Sequence, residues 1–365
     1  MPAIQGEYFF LPQEHVLFGV GSLQRLPDEV RRVGGHRVLL VTGRSLATQT
    51  DVVKRVVEVL GTLHGDTFSS IRQHAPKSDV AQAVDLARSL QADVLVSVGG
   101  GSPIDATKAV AHALAQDSGT FLPHIAMPTT LSAAEFTPSA GVTDEEKRAK
   151  AGFLDERMTP RTVLLDATLT VPTPLRLWIS TGIRALDHAV ETLYARGAHP
   201  INDALALEAI RKLFKFLPHS QAHPDDLEAR TELQIAAWMS IFEVNNAPAG
   251  LSHNLGRRIG ATYNVPHGIT SCITLPAVMH ALAEQHAAQL APMAAALNLP
   301  VSQSDPVQAA HVAADAVFSL IDQLGLPHYL HDVGINESEI HSIAVNTVGE
   351  GPRLSLAESI LRSVL

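Results

Sequence analysis

One cysteine in 365 residues, Cys272 in TSCITLPAVMH, excludes an intrachain disulfide and any cysteine-based metal cage, and reads as a small core residue. No apolar run is long enough to span a bilayer. The opening MPAIQGEYFFLPQEH has neither the basic stretch nor the apolar stretch of an export signal, so a cytoplasmic protein with no membrane partner is expected. Lys/Arg-rich blocks are missing as well, and the formal charge is −10, which argues against nucleic acid as a partner. Small molecules and further copies of the chain, as in a homodimer, are the expected partners. What is present is 46% hydrophobic and 18% charged residues, the make-up of a foldable chain whose length suits two domains better than one core.

The two halves have different textures. RVLLVTG (37–43) and ADVLVSVGGG (92–101) are short β-branched runs ending in glycine, with helix-like stretches such as TDVVKRVVEVLGTL between them, and HIAMPTT (124–130) is a further strand running into a loop. Buried strands alternating with helices predict βαβ units and a parallel sheet, an α/β domain over residues 1–164. EYFFLPQEHVLFGVGSL near the start reads as an extended or hairpin element. From about residue 165, TPLRLWISTGIRALDHAVETLYA, NDALALEAIRKLFKFL, EARTELQIAAWMSIFEV and PVQAAHVAADAVFSLIDQLGL carry helical periodicity and almost no strand signal, which predicts an all-helical domain over 165–365.

Within VSVGGGSPIDATKA, Gly99, Gly100, Gly101 and Ser102 stand at the end of a strand, and Pro103 suits the first turn of the next helix. Glycines let the backbone approach a ligand, and a helix N-terminus offers unpaired N–H groups with partial positive charge, so the expected guest is a diphosphate. The spacing fits neither GxGxxG nor a Walker loop, and a plain strand-to-helix turn is the alternative. Asp105 follows one turn later. After the earlier strand, VTGRSL places Gly43, Arg44 and Ser45 where an acidic residue would repel the 2′-phosphate of NADP, so both NADPH and NADH are allowed.

In the second half, GIRALDHAVETLYA sets Arg184 and His188 four residues apart on one helical face, and SHNLGRRIG repeats that spacing with His253 and Arg257. Arginine stays protonated and offers no lone pair, so it cannot be a metal ligand. It does match a carboxylate with two parallel N–H···O bonds. Alternatively, Arg184 forms an internal ion pair with Asp187, Glu191 or a carboxylate of another helix, and Arg257 is a surface guanidinium. On the helical wheel Asp187 points about 100° away from His188. His124, His199, His219 and His223 lack such partners and are read as surface or loop residues.

GGGSPIDATKA, MPTTLSAAEFTP, GIRALDHAVETLYA and GLSHNLGRRIGATYNVPHG, in this order, resemble the iron-containing (group III) alcohol dehydrogenase superfamily across nearly the whole chain. SAAEFTP, the segment GVTDEEKRAKAGFLDERMTPRTVLLDATLT and the tail EGPRLSLAESILRSVL are most similar to its maleylacetate reductase branch. The resemblance implies a dehydroquinate synthase-like architecture, a dinucleotide-binding α/β domain followed by a helical one, with the active site in the cleft between them. It implies that Gly99, Gly100, Gly101 and Ser102 hold the cofactor diphosphate and that Thr129 and Thr130 touch its nicotinamide side. In metal-using members an aspartate and three histidines bind a divalent ion. Those positions are Arg184, His188, His253 and His267 here, and a further family histidine is Arg257.

These substitutions lead to the expectation of an NAD(P)H-dependent reductase without a metal, reducing the C=C bond of maleylacetate, or a similar unsaturated oxo-acid, to 3-oxoadipate in aromatic-compound degradation. Arg184 and Arg257 would stabilise carboxylates and the developing enolate, with His188 beside them, and His253 or His267 would supply the proton. Two alternatives stand: a metal-dependent alcohol or aldehyde dehydrogenase using His188, His253 and His267, and a non-catalytic dinucleotide-binding sensor.

Overall fold

Strands that alternate between two apolar faces must be covered on both, and this chain does so. The computed structural model describes residues 7–145, 149–195, 199–242, 249–302 and 304–365. Its strands are β1 (His15–Phe18), β2 (Val38–Gly43), β3 (His64–Ile71), β4 (Val94–Gly99), β5 (His124–Pro128), β6 (Ser139–Asp144), β7 (Ala149–Leu154) and β8 (Thr162–Leu165). The helices between them are α1 (Leu26–Arg32), α2 (Arg44–Gln49), α3 (Val52–Leu60), α4 (Lys77–Leu90) and α5 (Gly101–Ser118). Six strands form one parallel sheet in the order β1-β8-β5-β4-β2-β3. Val38, Leu40, Val94 and Val96 pack on one face with Val30, Val52 and Val56, while Leu39, Val41 and Leu95 pack on the other with Ala83, Val84 and Val110. That two-residue alternation is why the strands read as continuous apolar runs.

The order reverses between β2 and β4. From β2 the chain steps outward to β3, then returns to lay β4 on the other side of β2. Ligands of open α/β sheets bind at the carboxyl ends of the strands at such a switch point. Here those ends are Gly43 and Gly99, and the Thr42 hydroxyl ties them together by donating to the Val98 carbonyl at 2.8 Å.

Two features differ from expectation. The N-terminal element is extended but not a hairpin: β1 is an edge strand paired in parallel with β8, some 150 residues away in sequence. An antiparallel ribbon, β6 with β7, occurs where no strand was read. A third correction concerns His124, which is buried at the start of β5 and bonded to the Ser97 hydroxyl at 2.8 Å; burial pushes it down to about 3.

The remaining helices are α6 (Leu175–Tyr194), α7 (Pro200–Ala222), α8 (Leu227–Ser240), α9 (Leu251–Tyr263), α10 (His267–Leu282), α11 (Ala287–Ala296), α12 (Pro306–Gln323), α13 (Ile340–Val348) and α14 (Leu354–Ser363). Among the described residues no strand follows Leu165, and no helix is long and apolar enough to cross a membrane. Two compact units result: residues 9–174 with 225–235, and residues 1–8 with 175–224 and 236–365. In the helical unit α6 is central, packing on α7, α9 and α10. Trp178 is fully buried and donates its indole N–H to Ser220 of α7. Gly268 lets α10 cross α6 closely, since a Cβ there would lie 2.5 Å from the Ser180 backbone.

Candidate active site

The α/β unit contains the glycine turn. Gly99 has φ +143°, a conformation that L side chains rarely adopt, and a Cβ on it would meet Pro103 at 2.8 Å. Gly100 precedes the first residue of α5, and a Cβ there would come within 3.1 Å of Thr130 Cγ2 and 3.3 Å of its Oγ1. The turn is joined to the Thr129–Thr130 loop by a bond from Thr129 N to Gly99 O at 2.9 Å, and Thr173 donates to the Thr129 carbonyl at 2.7 Å. Thr130 Oγ1 and Ser132 Oγ are buried and have no hydrogen-bond partner among the described residues, and Ser132 Oγ lies 3.4 Å from where a Gly101 Cβ would be. Orphaned hydroxyls beside a helix N-terminus are what a polar, anionic guest would satisfy. The residues therefore fit a dinucleotide.

The other cofactor candidates are placed as follows. Ser102 accepts from the His74 backbone N–H at 3.0 Å and keeps its own O–H to donate. Asp105 accepts from Gly141 N at 3.2 Å, which directs its carboxylate to β6. Gly43 closes β2, and Arg44 begins α2 with an exposed side chain.

Lys108 is a residue to which the sequence reading gave no role. Its ammonium is buried in α5 and donates to the carbonyls of Ala134, Thr137 and Ser139 and to the Thr137 hydroxyl, at 2.5–3.0 Å. It thereby anchors the stretch that follows Ser132. Burial pushes Lys108 down to about 8 and the adjacent Glu135 up to about 7. A lysine inside the apolar run ATKAVAHAL was the available signal.

In the helical unit, α6 carries Arg184, Asp187, His188 and Glu191, α9 carries His253 and Arg257, and α10 begins at His267 and carries Ser271. Arg184 is 6% exposed. Its Nη1 donates to Asp187 Oδ2 at 3.2 Å and to Ser271 Oγ at 3.0 Å, and Ser271 donates to the same carboxylate oxygen at 2.7 Å. Its Nη2 lies 2.6 Å from His253 Nδ1 and 2.9 Å from Nε2. The ion pair with Asp187 is therefore present, and the guanidinium also caps the nitrogen edge of His253. His188 is buried, with its ring centroid 5.6 Å from that of His253. His267 is half-buried, and Arg257 is exposed.

Burial holds His188 and His253 well below the usual histidine range, and Arg184 adds to the effect. Burial also raises the Asp187 carboxyl, with Arg184 and Ser271 pulling it back. Glu191 accepts from Gly250 N at 2.8 Å, His253 N at 3.1 Å and the Tyr194 hydroxyl at 3.1 Å, so it caps the start of α9 and fixes His253 relative to α6. Burial and Asp187 push its carboxyl up to about 8. A folded-state pKa above the unfolded value means the folded protein binds the extra proton, so this contribution is complete at low pH and lost as pH rises through 8. In melting curves from pH 5 to pH 8, Glu191→Gln is expected to lose less Tm across the range than the parent, offset by a constant loss because one acceptor becomes a donor. An unchanged slope would show that Glu191 keeps its charge when folded.

The same geometry tests a metal. A ligating histidine needs a free lone pair, and a guanidinium nitrogen against both ring nitrogens of His253 takes that place with a positive charge. Among the described residues no three His, Cys, Asp or Glu side chains come together as a metal-holding group. As arranged, these side chains do not fit a divalent ion.

Residues 12–167 match the family described as iron-containing alcohol dehydrogenase, and residues 178–355 match the Fe-containing alcohol dehydrogenase family, C-terminal. A maleylacetate reductase of Pseudomonas sp. (strain P51) is 35% identical over 326 residues, covering 89% of this chain and 86% of that protein. Lactaldehyde reductase of Escherichia coli (strain K12) is 30% identical over 370 residues, covering 95% of this chain and 96% of that protein. The crystal structure of maleylacetate reductase from Agrobacterium tumefaciens superposes with a TM-score of 0.86 at 27% identity, covering 100% of this chain and 99% of that one. The chain belongs to the iron-containing (group III) alcohol dehydrogenase superfamily, most like its maleylacetate reductase branch, and is an oxidoreductase.

Proposed function

We propose that the protein reduces the C=C bond of maleylacetate, or of a closely similar unsaturated oxo-diacid, with NADH or NADPH and without a bound metal. The observation that carries this reading is the Arg184 guanidinium seated on His253, a fixed cation that also acts on His188. Gly99, Gly100, Gly101 and Ser102, with Thr129 and Thr130, would hold the dinucleotide, which supplies a hydride when bound. Arg44, exposed at the end of β2, would accept a 2′-phosphate.

The chain's own residues have the following tasks. Addition at the alkene carbon β to the ketone sends an electron pair onto the ketone oxygen, and the fixed positive charge of Arg184 favours that enolate over the neutral ketone. Protonation of the neighbouring carbon then gives 3-oxoadipate. His253 is a poor donor for this proton, because its nitrogen edge faces Arg184 and protonation there would set two cations together. His267 is the better candidate. The 30% identity to lactaldehyde reductase favours a second reading, reduction of small aldehydes.

Oxidation of NADH and of NADPH, followed with maleylacetate, other unsaturated oxo-acids and simple aldehydes, separates the two. Fast turnover of the diacid by protein purified without chelator, with substoichiometric metal and no effect of chelator, is the expected result. Aldehyde turnover that disappears with removal of zinc or iron would replace this reading with the second.

A further inference from the structure

Two arginines on neighbouring helices invite the assumption that both bind substrate. Their surroundings are different. Arg184 is buried and committed: two of its N–H groups go to Asp187 and Ser271, and Nη2 goes to His253. Asp187 is itself fully buried, so this guanidinium is the counter-charge that keeps the carboxylate in the helical core, and the Ser271 hydroxyl fixes the pair by bonding both partners. Turning Arg184 outward would leave Asp187 buried without its counter-charge. Arg257, one turn after His253 on α9, is exposed, and among the described residues no carboxylate or other hydrogen-bond partner meets its side chain. It remains close enough for its charge to act on both Arg184 and His253.

We infer that the two arginines have separate duties: Arg257 meets a substrate carboxylate directly, while Asp187 and Ser271 are positioning residues that lock Arg184 in place as a fixed charge behind His253. The inference rests on the diacid reading above. A free, solvated guanidinium can pair with a carboxylate in bidentate fashion at little rearrangement, whereas one already tied to a buried carboxylate cannot. Arg257 should therefore govern how tightly diacids bind, and the Asp187–Arg184–Ser271 group should govern how fast bound substrate reacts.

The test compares Arg257→Gln, Asp187→Asn and Ser271→Ala in the full-length protein. The substrates are maleylacetate and two monoacid analogues, each lacking one of its carboxylates. Arg257→Gln is expected to raise KM for the diacid at least tenfold, to leave kcat within about twofold, and to leave KM unchanged for the analogue that lacks the carboxylate it reads. Asp187→Asn and Ser271→Ala are expected to lower kcat at least tenfold and about threefold, respectively, with the diacid-to-monoacid KM ratio preserved. Ser271→Ala serves as the readout if Asp187→Asn does not fold. The assignment is overturned if Arg257→Gln lowers kcat while leaving KM intact, or if Ser271→Ala changes the KM ratio. Inhibition of aldehyde reduction by succinate and glutarate, measured in the same variants, keeps the two readings apart. If wild type reduces only aldehydes, the proposed substrate is wrong, yet a tenfold weaker diacid Ki in Arg257→Gln still upholds the assignment and an unchanged Ki refutes it.

Discussion

Arg184→Asp is expected to melt well below the parent protein and to recover when a divalent metal is added. The parent holds Asp187 at 0% exposure with the Arg184 guanidinium 3.2 Å away. Removing one partner of a buried pair costs about 3–5 kcal/mol, because the other charge is left uncompensated, and here the incoming carboxylate adds repulsion. At ~2 °C per kcal/mol that is a Tm loss of roughly 5–10 °C. The variant would also open the nitrogen edge of His253, four residues' spacing would put the new carboxylate on the His188 face, and His267 stands at the start of α10. Zinc would then meet one carboxylate and up to three imidazoles, a ligand set it binds well, and binding would return the lost stability. Scanning fluorimetry with and without zinc, with metal analysis and diacid turnover on the same samples, makes the check. A variant that melts with the parent and takes up no metal would mean that Arg184 is neither the counter-charge of Asp187 nor a neighbour of the histidine pair.

Gly100→Val should abolish NAD(P)H binding while leaving the fold in place. The position is extended, with φ −80°, so valine meets no backbone penalty there. The obstacle is space: the first added carbon would already lie 3.1 Å from Thr130, and valine adds two methyl groups beyond it at the turn that leads into α5. A guest whose phosphates need the unpaired N–H groups there loses its contact with them. Fluorescence titration with NADH and NADPH is expected to show affinity lowered at least 100-fold, with the circular dichroism spectrum unchanged. Cofactor binding at parental strength would move the dinucleotide away from this turn.

The parallel sheet was legible because strands buried on both faces must be apolar almost throughout, and VLLVTG and VLVSVG are so apart from Thr42 and Ser97. The helical half was legible from its period. The pairing of β1, read only as an extended or hairpin element, and the β6–β7 ribbon were not, since pairing between His15 and Thr162 depends on register between distant segments and leaves no local pattern in either. The candidate site divides in the same way. Arg184, His188, His253 and Arg257 could be singled out by residue type and spacing, and His267 by the resemblance to the family. The pairing of Arg184 with Asp187 was one of several alternatives the sequence left open: the helical wheel gives the direction of each Cα–Cβ bond, and the long arginine stem reaches across from a neighbouring direction to close an i, i+3 pair. Lys108 was hidden for another reason, because its partners are main-chain oxygens of a loop that no side-chain pattern announces.

The passage of the chain between its two units has a consequence for the order in which the protein is made. The sheet-containing unit takes residues 9–174 and then also 225–235. That later segment is integral to it, since Arg230, 1% exposed, donates to the carbonyl and hydroxyl of Thr170, and Gln234 reaches the Pro128 carbonyl. On the ribosome, the sheet emerges first and waits without these partners while α6 and α7 are synthesised, so the sheet-containing unit is completed only by a segment that follows two helices of the other unit in sequence. A nascent chain halted when Thr170 has cleared the exit tunnel but residues 225–235 have not should therefore be protease-sensitive around Thr170, and one halted after residue 235 has cleared it should be protected.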